Sequence, residues 1–118
     1  MQIQYFEDLP LGPEVMKGIE ELGFSNLFPI QAQAIIPLLE GKDVIGQAQT
    51  GTGKTAAFGI PMVERRNPGI DSIQGLVLEP TRELAIQVAE HISRFGRYLK
   101  LKVYRFTAEN PSRGKSAN

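Results

Sequence analysis

The sequence contains no cysteine, which excludes a disulfide scaffold, thiolate metal sites and thiol catalysis, and fits a reducing compartment. It has no charge bias either: Lys+Arg and Asp+Glu are 13 each, so there is no overall basic field, and any nucleic-acid contact must come from a local patch. No apolar run approaches the roughly 20 residues needed to span a bilayer. The N-terminus Met1-Gln2-Ile3-Gln4 lacks the basic and apolar regions of a secretion signal. Together these absences lead to the expectation of a cytoplasmic protein. Histidine is nearly missing too, and the single one, His91, falls among polar neighbours in a helical stretch and reads as surface. What remains is 118 residues with 42% hydrophobic and 22% charged composition, the range of one soluble domain with a single core.

Taken along the chain, Tyr5-Phe6 begins a short arm. Gly12-Pro13 opens a first helix in which Val15, Met16, Ile19 and Leu22 share a face, and Gly23 stops it. Pro29 opens a second helix with Ile30, Ala34, Ile35 and Leu38 as its apolar positions, bent or interrupted at Pro37 and ended by Gly41. A β-type run, Asp43-Val44-Ile45-Gly46, follows. A third helix is expected to about Glu64 with a disturbance at Pro61, and Asn67-Pro68-Gly69 is a turn. Gly75-Leu76-Val77-Leu78 reads as a second strand, covered on both faces as in a parallel sheet. Thr81 caps a further helix with Leu84, Val88, Ile92 and Phe95 at helical spacing, and Leu101 to Tyr104 is a third expected strand.

The chemistry concentrates at Ala48-Gln49-Thr50-Gly51-Thr52-Gly53-Lys54-Thr55, between the first strand and the third helix. Strand, glycine loop and helix in that order form a phosphate-binding loop. Gly51 and Gly53 let the backbone curl so that successive N–H groups face inward at a helix N-terminus, where the dipole also favours anions. Lys54 adds a positive charge for the outer phosphates, and Thr55 would place its hydroxyl on a magnesium ion. The strict pattern opens with glycine where this chain has Ala48. A glycine-rich surface turn before a helix is the bland alternative, and a phosphate-loop kinase would share the loop.

Three separated motifs then carry a resemblance. Gly23-Phe24 with Pro29-Ile30-Gln31, and Phe6 as the isolated upstream aromatic, resembles the Q motif of DEAD-box RNA helicases. Ala48 to Thr55 resembles that family's phosphate loop at every position, the opening alanine included, and Pro80-Thr81-Arg82-Glu83-Leu84-Ala85 resembles its motif Ia. The resemblance covers about residues 5 to 104 and implies an α/β P-loop NTPase of RecA-like type, an incomplete three-layer parallel sheet with flanking helices. It implies that Gln31 selects the adenine of ATP or ADP, that Phe6 or Phe24 lies against the base, and that Gln49 to Thr55 hold the phosphates with Mg2+ on Thr55. It further implies that Pro80, Thr81 and Arg82 grip an RNA backbone without reading sequence. Thr81 is also a good helix cap in any protein, and Glu83 suits a first helical turn.

The departures set further expectations. Leu27-Phe28 stands where the family usually has Pro-Thr, which alters the adenine pocket, and Glu79 puts a negative charge beside motif Ia. The Asp-Glu-Ala-Asp motif and the second domain of the family are not among the 118 residues, so this chain alone is expected not to hydrolyse ATP usefully. The division expected is a truncated ATP-binding domain over 1–104 and a polar, breaker-rich, disordered tail over 105–118. An open sheet edge should leave the chain marginally stable or self-associating. The functional expectation is the ATP-binding portion of an RNA helicase, and the alternative is a non-catalytic nucleotide-binding or interaction module.

Overall fold

The structure, a computed structural model, describes residues 3–49 and 53–106 and the backbone of 115–116. Among the described residues there are four α-helices, α1 (Pro13–Glu21), α2 (Pro29–Leu39), α3 (Lys54–Glu64) and α4 (Arg82–Phe95), preceded by a single turn of 3-10 helix at Phe6–Asp8. The punctuation in the sequence explains their bounds. Proline occupies the first position of α1 and of α2, where its missing N–H is no loss. Gly23 and Gly41, just past the ends of α1 and α2, take left-handed φ values of 76° and 84°. Pro37 and Pro61 lie inside α2 and α3 without ending them.

The helices bury one another. Helix α2 packs against α3, α3 against α4, and α1 against both α4 and α3. Val15 and Ile19 of α1, Ile35 of α2, Ile60 and Val63 of α3, and Val88, Ile92 and Phe95 of α4 form one apolar cluster with Phe6 and Leu9. Each such side chain contributes about 1.5–3 kcal/mol on burial. Where α1 meets α4 the approach is backbone to side: a Cβ on Gly18 would stand 3.0 Å from the carbonyl oxygens of Arg94 and Phe95. The N–H of Gly12 donates to Glu64 Oε1 at 2.9 Å and ties the start of α1 to the end of α3.

The sheet differs from expectation. Among the described residues the only ladder is a two-residue antiparallel pair, β1 (Tyr104–Arg105) with β2 (Lys115–Ser116). The expected strands at 43–46 and 75–78 are not formed, and the expected strand at 101–104 is reduced to its last residue plus Arg105. The reason lies in what a strand requires, which is a neighbour for its N–H and C=O groups. Val77 is partly buried against the helical core, whereas Leu76 is 78% and Leu78 84% exposed, so this run is covered on one face, not two. Ile45 is fully exposed and Ile73 81% exposed. Of the tail, Arg105 and Phe106 and the backbone of 115–116 are described, and the rest lies outside the described residues. Among the described residues no helix is long and apolar enough to cross a membrane.

Candidate nucleotide site

The N-terminal arm and the segment before α2 are joined by an antiparallel bridge between Tyr5 and Asn26. Backbone bonds from the Phe6 N–H to the Ser25 carbonyl and from the Leu27 N–H to the Gln4 carbonyl, each 2.9 Å, flank it. The arm is therefore held alongside the residues that lead into α2. Phe28 is the cap residue of α2, extended at φ −71° and ψ 156°, as the proline that follows it requires. A phenylalanine ring has no acceptor for the helix N–H groups, so the cap is one-sided: the Phe28 N–H donates to Gln31 Oε1 at 2.9 Å.

Gln31 faces the loop. Its side chain is buried, and Nε2 donates to the Gly53 carbonyl at 3.1 Å, across 22 positions of sequence. Gly53 has φ 81° and ψ 28° and caps α3, and its carbonyl also accepts the Ala57 N–H at 3.2 Å. A Cβ there would lie 2.1 Å from Gln31 Nε2 and 3.1 Å from Phe28 Cδ2, so only glycine fits both the turn and the contact. One of the amide's two donors and one lone pair of its oxygen are used in these bonds. Among the described residues a second donor and a second lone pair are left over from these two bonds.

The cap residue of α3, Gly53, has no side chain to offer, and among the described residues no side chain caps this helix. The first N–H groups of a helix have no intrahelical acceptor, and here they coincide with the positive end of the dipole beside Lys54, which is exposed, and Thr55, which is half-buried. Helix α4 is the contrast: the Leu84 N–H donates to Thr81 Oγ1 at 3.2 Å, so that end is closed by its own cap. The Thr81 hydroxyl, accepting in this bond, still has its own hydrogen to donate. Pro80 and Arg82 are exposed beside it, and Glu79 is half-buried. His91 is exposed and stacks on Phe95 with ring centroids 6.5 Å apart.

The structure thus brings Phe28, Gln31 and Gly53 together, with Lys54 and Thr55 next in α3. Thr81 and Arg82 lie at the start of another helix, α4. Thr50, Gly51 and Thr52 lie outside the described residues, and Gln49 is exposed at the loop's entry. Phe6 is in the core at 3% exposure, its ring centroid 5.3 Å from that of Phe24, which is 37% exposed and meets Phe95 edge-on at 6.2 Å. Sequence reasoning took Phe28 only as a departure from a pattern. The available signal was its position directly before Pro29, which fixes its backbone and its aim. Among the described residues no three His, Cys, Asp or Glu side chains are grouped to hold a metal ion.

Comparison with known proteins places these features in context. A model of the family described as DEAD/DEAH box helicase matches residues 28–118. The DEAD-box ATP-dependent RNA helicase CshA of Geobacillus kaustophilus is 56% identical over 98 residues, covering 83% of this chain and 21% of that protein. Among solved structures, a DEAD box protein from Methanococcus jannaschii is similar with a TM-score of 0.76 and 38% identity, over 80% of this chain and 26% of that one. The S. cerevisiae Dbp5 structure bound to RNA and ADP BeF3 is similar with a TM-score of 0.77 and 41% identity, over 85% of this chain and 26% of that one. The chain therefore spans about a fifth of the curated relative's length, and its helices are arranged as in an α/β P-loop fold.

Proposed function

The chain belongs to the DEAD/DEAH box helicase family, and from that premise we propose that it supplies the nucleotide-binding cradle of an ATP-dependent RNA helicase. The observation that carries this is the start of α3, entered through a left-handed Gly53 whose carbonyl is held by the buried Gln31 amide and given no side-chain cap among the described residues. Phosphate oxygens are suited to accept from the N–H groups at a helix N-terminus. The similar CshA is named for ATP-dependent RNA helicase activity, and the similar Dbp5 structure holds RNA and ADP BeF3. Both support reading the ligand as ATP or ADP.

In that reading Gln49, Thr50, Gly51, Thr52 and Gly53 wrap the phosphates and Lys54 faces the outer ones. Gln31 meets the base edge with its remaining donor and lone pair. The donor set suits magnesium: a single hydroxyl, Thr55, with phosphate oxygens and waters completing the shell, as a small cation that keeps its waters prefers. Magnesium when bound neutralises phosphate charge. Thr81, Pro80 and Arg82 take the RNA backbone, the Thr81 hydroxyl donating while its oxygen continues to cap α4. The segments 43–46 and 75–78 take strand positions in a three-layer parallel sheet once each has a neighbour. Until then Ile45, Ile73, Leu76 and Leu78 favour self-association of the chain, which carries no net charge to oppose it.

A calorimetric titration of the chain with ADP and magnesium, against GDP, tests the reading, with light scattering recorded on the same samples. Adenine-preferring binding that Lys54→Ala abolishes and Gln31→Ala makes indifferent to the base is expected, from a chain whose mass rises with concentration. A folded chain that binds neither nucleotide would refute the cradle, and a strict monomer would refute the association.

A further inference from the structure

Of the 13 Lys and Arg residues, five (Arg94, Arg97, Lys100, Lys102 and Arg105) fall in one stretch that has no Asp or Glu, and the other eight are set against all 13 acidic residues. A chain with no net charge thus gathers its positive charge in one segment. The fold accounts for part of this run. Arg94 lies in the last turn of α4, where a cation meets the negative end of the helix dipole. Arg97 pairs with Glu21 at 3.5 Å, and Lys17 of α1 sits over the Tyr98 ring, 4.4 Å from its centroid. Lys100 and Lys102 are accounted for by neither: both are exposed, and among the described residues neither has an ion-pair partner.

What lies between the two lysines fixes where they point. Leu99, Leu101 and Val103 pack against the apolar cluster, and the Leu99 N–H donates to the Gly96 carbonyl at 2.9 Å. Alternate residues are drawn inward, which turns Lys100 and Lys102 out. We propose that these two lysines, with Arg94, Arg97 and Lys17 beside them, form a second contact surface for the phosphate backbone of single-stranded RNA. The inference rests on the RNA part of the proposed function and not on the nucleotide. The surface lies at the other end of α4 from Thr81 and Arg82, about 20 Å away along a helix of 14 residues, so the two contacts are separate. Its acidic neighbours are Glu21, which is taken up by Arg97 and the Tyr98 hydroxyl, and Glu90, one turn before Arg94. Five cations against two carboxylates leave it positive. Point charges on mobile stems suit a backbone that repeats at every nucleotide, and they read no sequence.

Fluorescence anisotropy of a short labelled oligouridine, titrated with the chain at salt concentrations between about 50 and 200 mM, tests this, with circular dichroism recorded for each variant. Lys100→Ala together with Lys102→Ala removes two phosphate partners. The slope of log affinity against log salt should become shallower by about 1.4, and affinity near 0.1 M salt should fall about twentyfold. The same loss is expected in an Arg82→Ala background, because the two ends of α4 act separately. Lys42→Ala removes an exposed cation elsewhere, beside Glu40, and should leave the slope as it is. An unchanged slope in the double variant overturns the inference. So does an equal loss per charge in Lys42→Ala, which would mean diffuse attraction, and so does a loss that vanishes in the Arg82→Ala background. Polyglutamate that displaces the RNA as well as unlabelled oligouridine does would assign the surface to an acidic protein segment and overturn the choice of RNA. A folded wild-type chain that does not bind the oligomer overturns the RNA reading itself.

Discussion

Gly53→Ala is the most informative single change, because its effect divides into parts that a second mutation separates. Alanine at φ 81° takes a left-handed conformation that costs a non-glycine residue about 1–2 kcal/mol. The stiffer unfolded chain returns about 0.4–1 kcal/mol, which leaves about 0.5–1 kcal/mol. The new methyl group would sit 2.1 Å from Gln31 Nε2 and 2.9 Å from Cδ, so the amide must leave. Gln31 then gives up its bonds to the Gly53 carbonyl and the Phe28 N–H in a site where it is 2% exposed. Stranding such a group costs about 1–3 kcal/mol. The total is about 1.5–4 kcal/mol.

In a Gln31→Ala background no amide is present to displace, and Gly53→Ala should cost only the backbone part, about 0.5–1 kcal/mol. The two changes should therefore be non-additive, with a coupling of about 1–3 kcal/mol. Urea unfolding followed by the helical circular dichroism signal measures each corner of the cycle, with the slope against denaturant held in common. Additivity within about 0.5 kcal/mol would show that residues 31 and 53 do not touch, and the account of the clamp would fail with it.

Two further outcomes follow from other parts of the fold. Gly18→Ala presses a Cβ to 3.0 Å from two backbone carbonyl oxygens of α4, which cannot turn away as a side chain can, at a cost of about 1–3 kcal/mol, while alanine returns about 1 kcal/mol of helix propensity, so the net loss should be up to about 2 kcal/mol; urea melts read this directly, and a raised midpoint would mean that α1 does not meet α4 there. Tyr98 gives a pH signature: the hydrogen bond its hydroxyl donates to Glu21 raises its pKa above 10.0, with desolvation and the Glu21 charge acting the same way and Arg97 opposing. The folded state therefore holds this proton more tightly than the unfolded chain does. Its stabilisation is complete below about pH 10 and is lost as pH climbs through the folded value. Melts of wild type and Tyr98→Phe should converge in the alkaline range, and parallel profiles would rule the contact out.

The helices were legible because their signals are local. Proline at the first position of α1 and α2, glycine just past each end, and Thr81 before α4 are chemical instructions that act within one turn, and each is obeyed. Pro37 does not interrupt α2: it removes one i→i−4 hydrogen bond, and with Ile35 buried in the common core the helix still continues to Leu39. The strands were not legible in the same way. An apolar run such as 75–78 states only that it can be covered, and whether a ladder forms depends on a neighbour that its own residues do not encode. The site was visible as a motif but not as a contact. Nothing in the spacing of Gln31 and Gly53 announces a bond across 22 positions, and a glutamine in isolation reads as a solvated helix residue.

That contact also determines how the site is held. The loop has two ends, and the structure fixes them unequally. Its exit is set by α3, by the Gly53 turn and by the Gln31 amide, all carried on the α2–α3 interface that Ile35, Ile60 and Val63 bury. Its entry, residues 43–49, has no ladder among the described residues, and rests where Gly46 meets Ile30, whose Cδ1 lies 2.9 Å from the position a Cβ would take. The groups at the exit are the helix N–H donors, Lys54 and Thr55, and they depend on no strand. The groups at the entry, beginning with Gln49, do depend on one. On the proposed nucleotide reading, phosphate contacts made at the exit should accordingly survive without a sheet. A neighbouring strand that paired with 43–46 would hold the entry's backbone in place before a ligand arrives and, on the same reading, tighten nucleotide binding without touching the nucleotide.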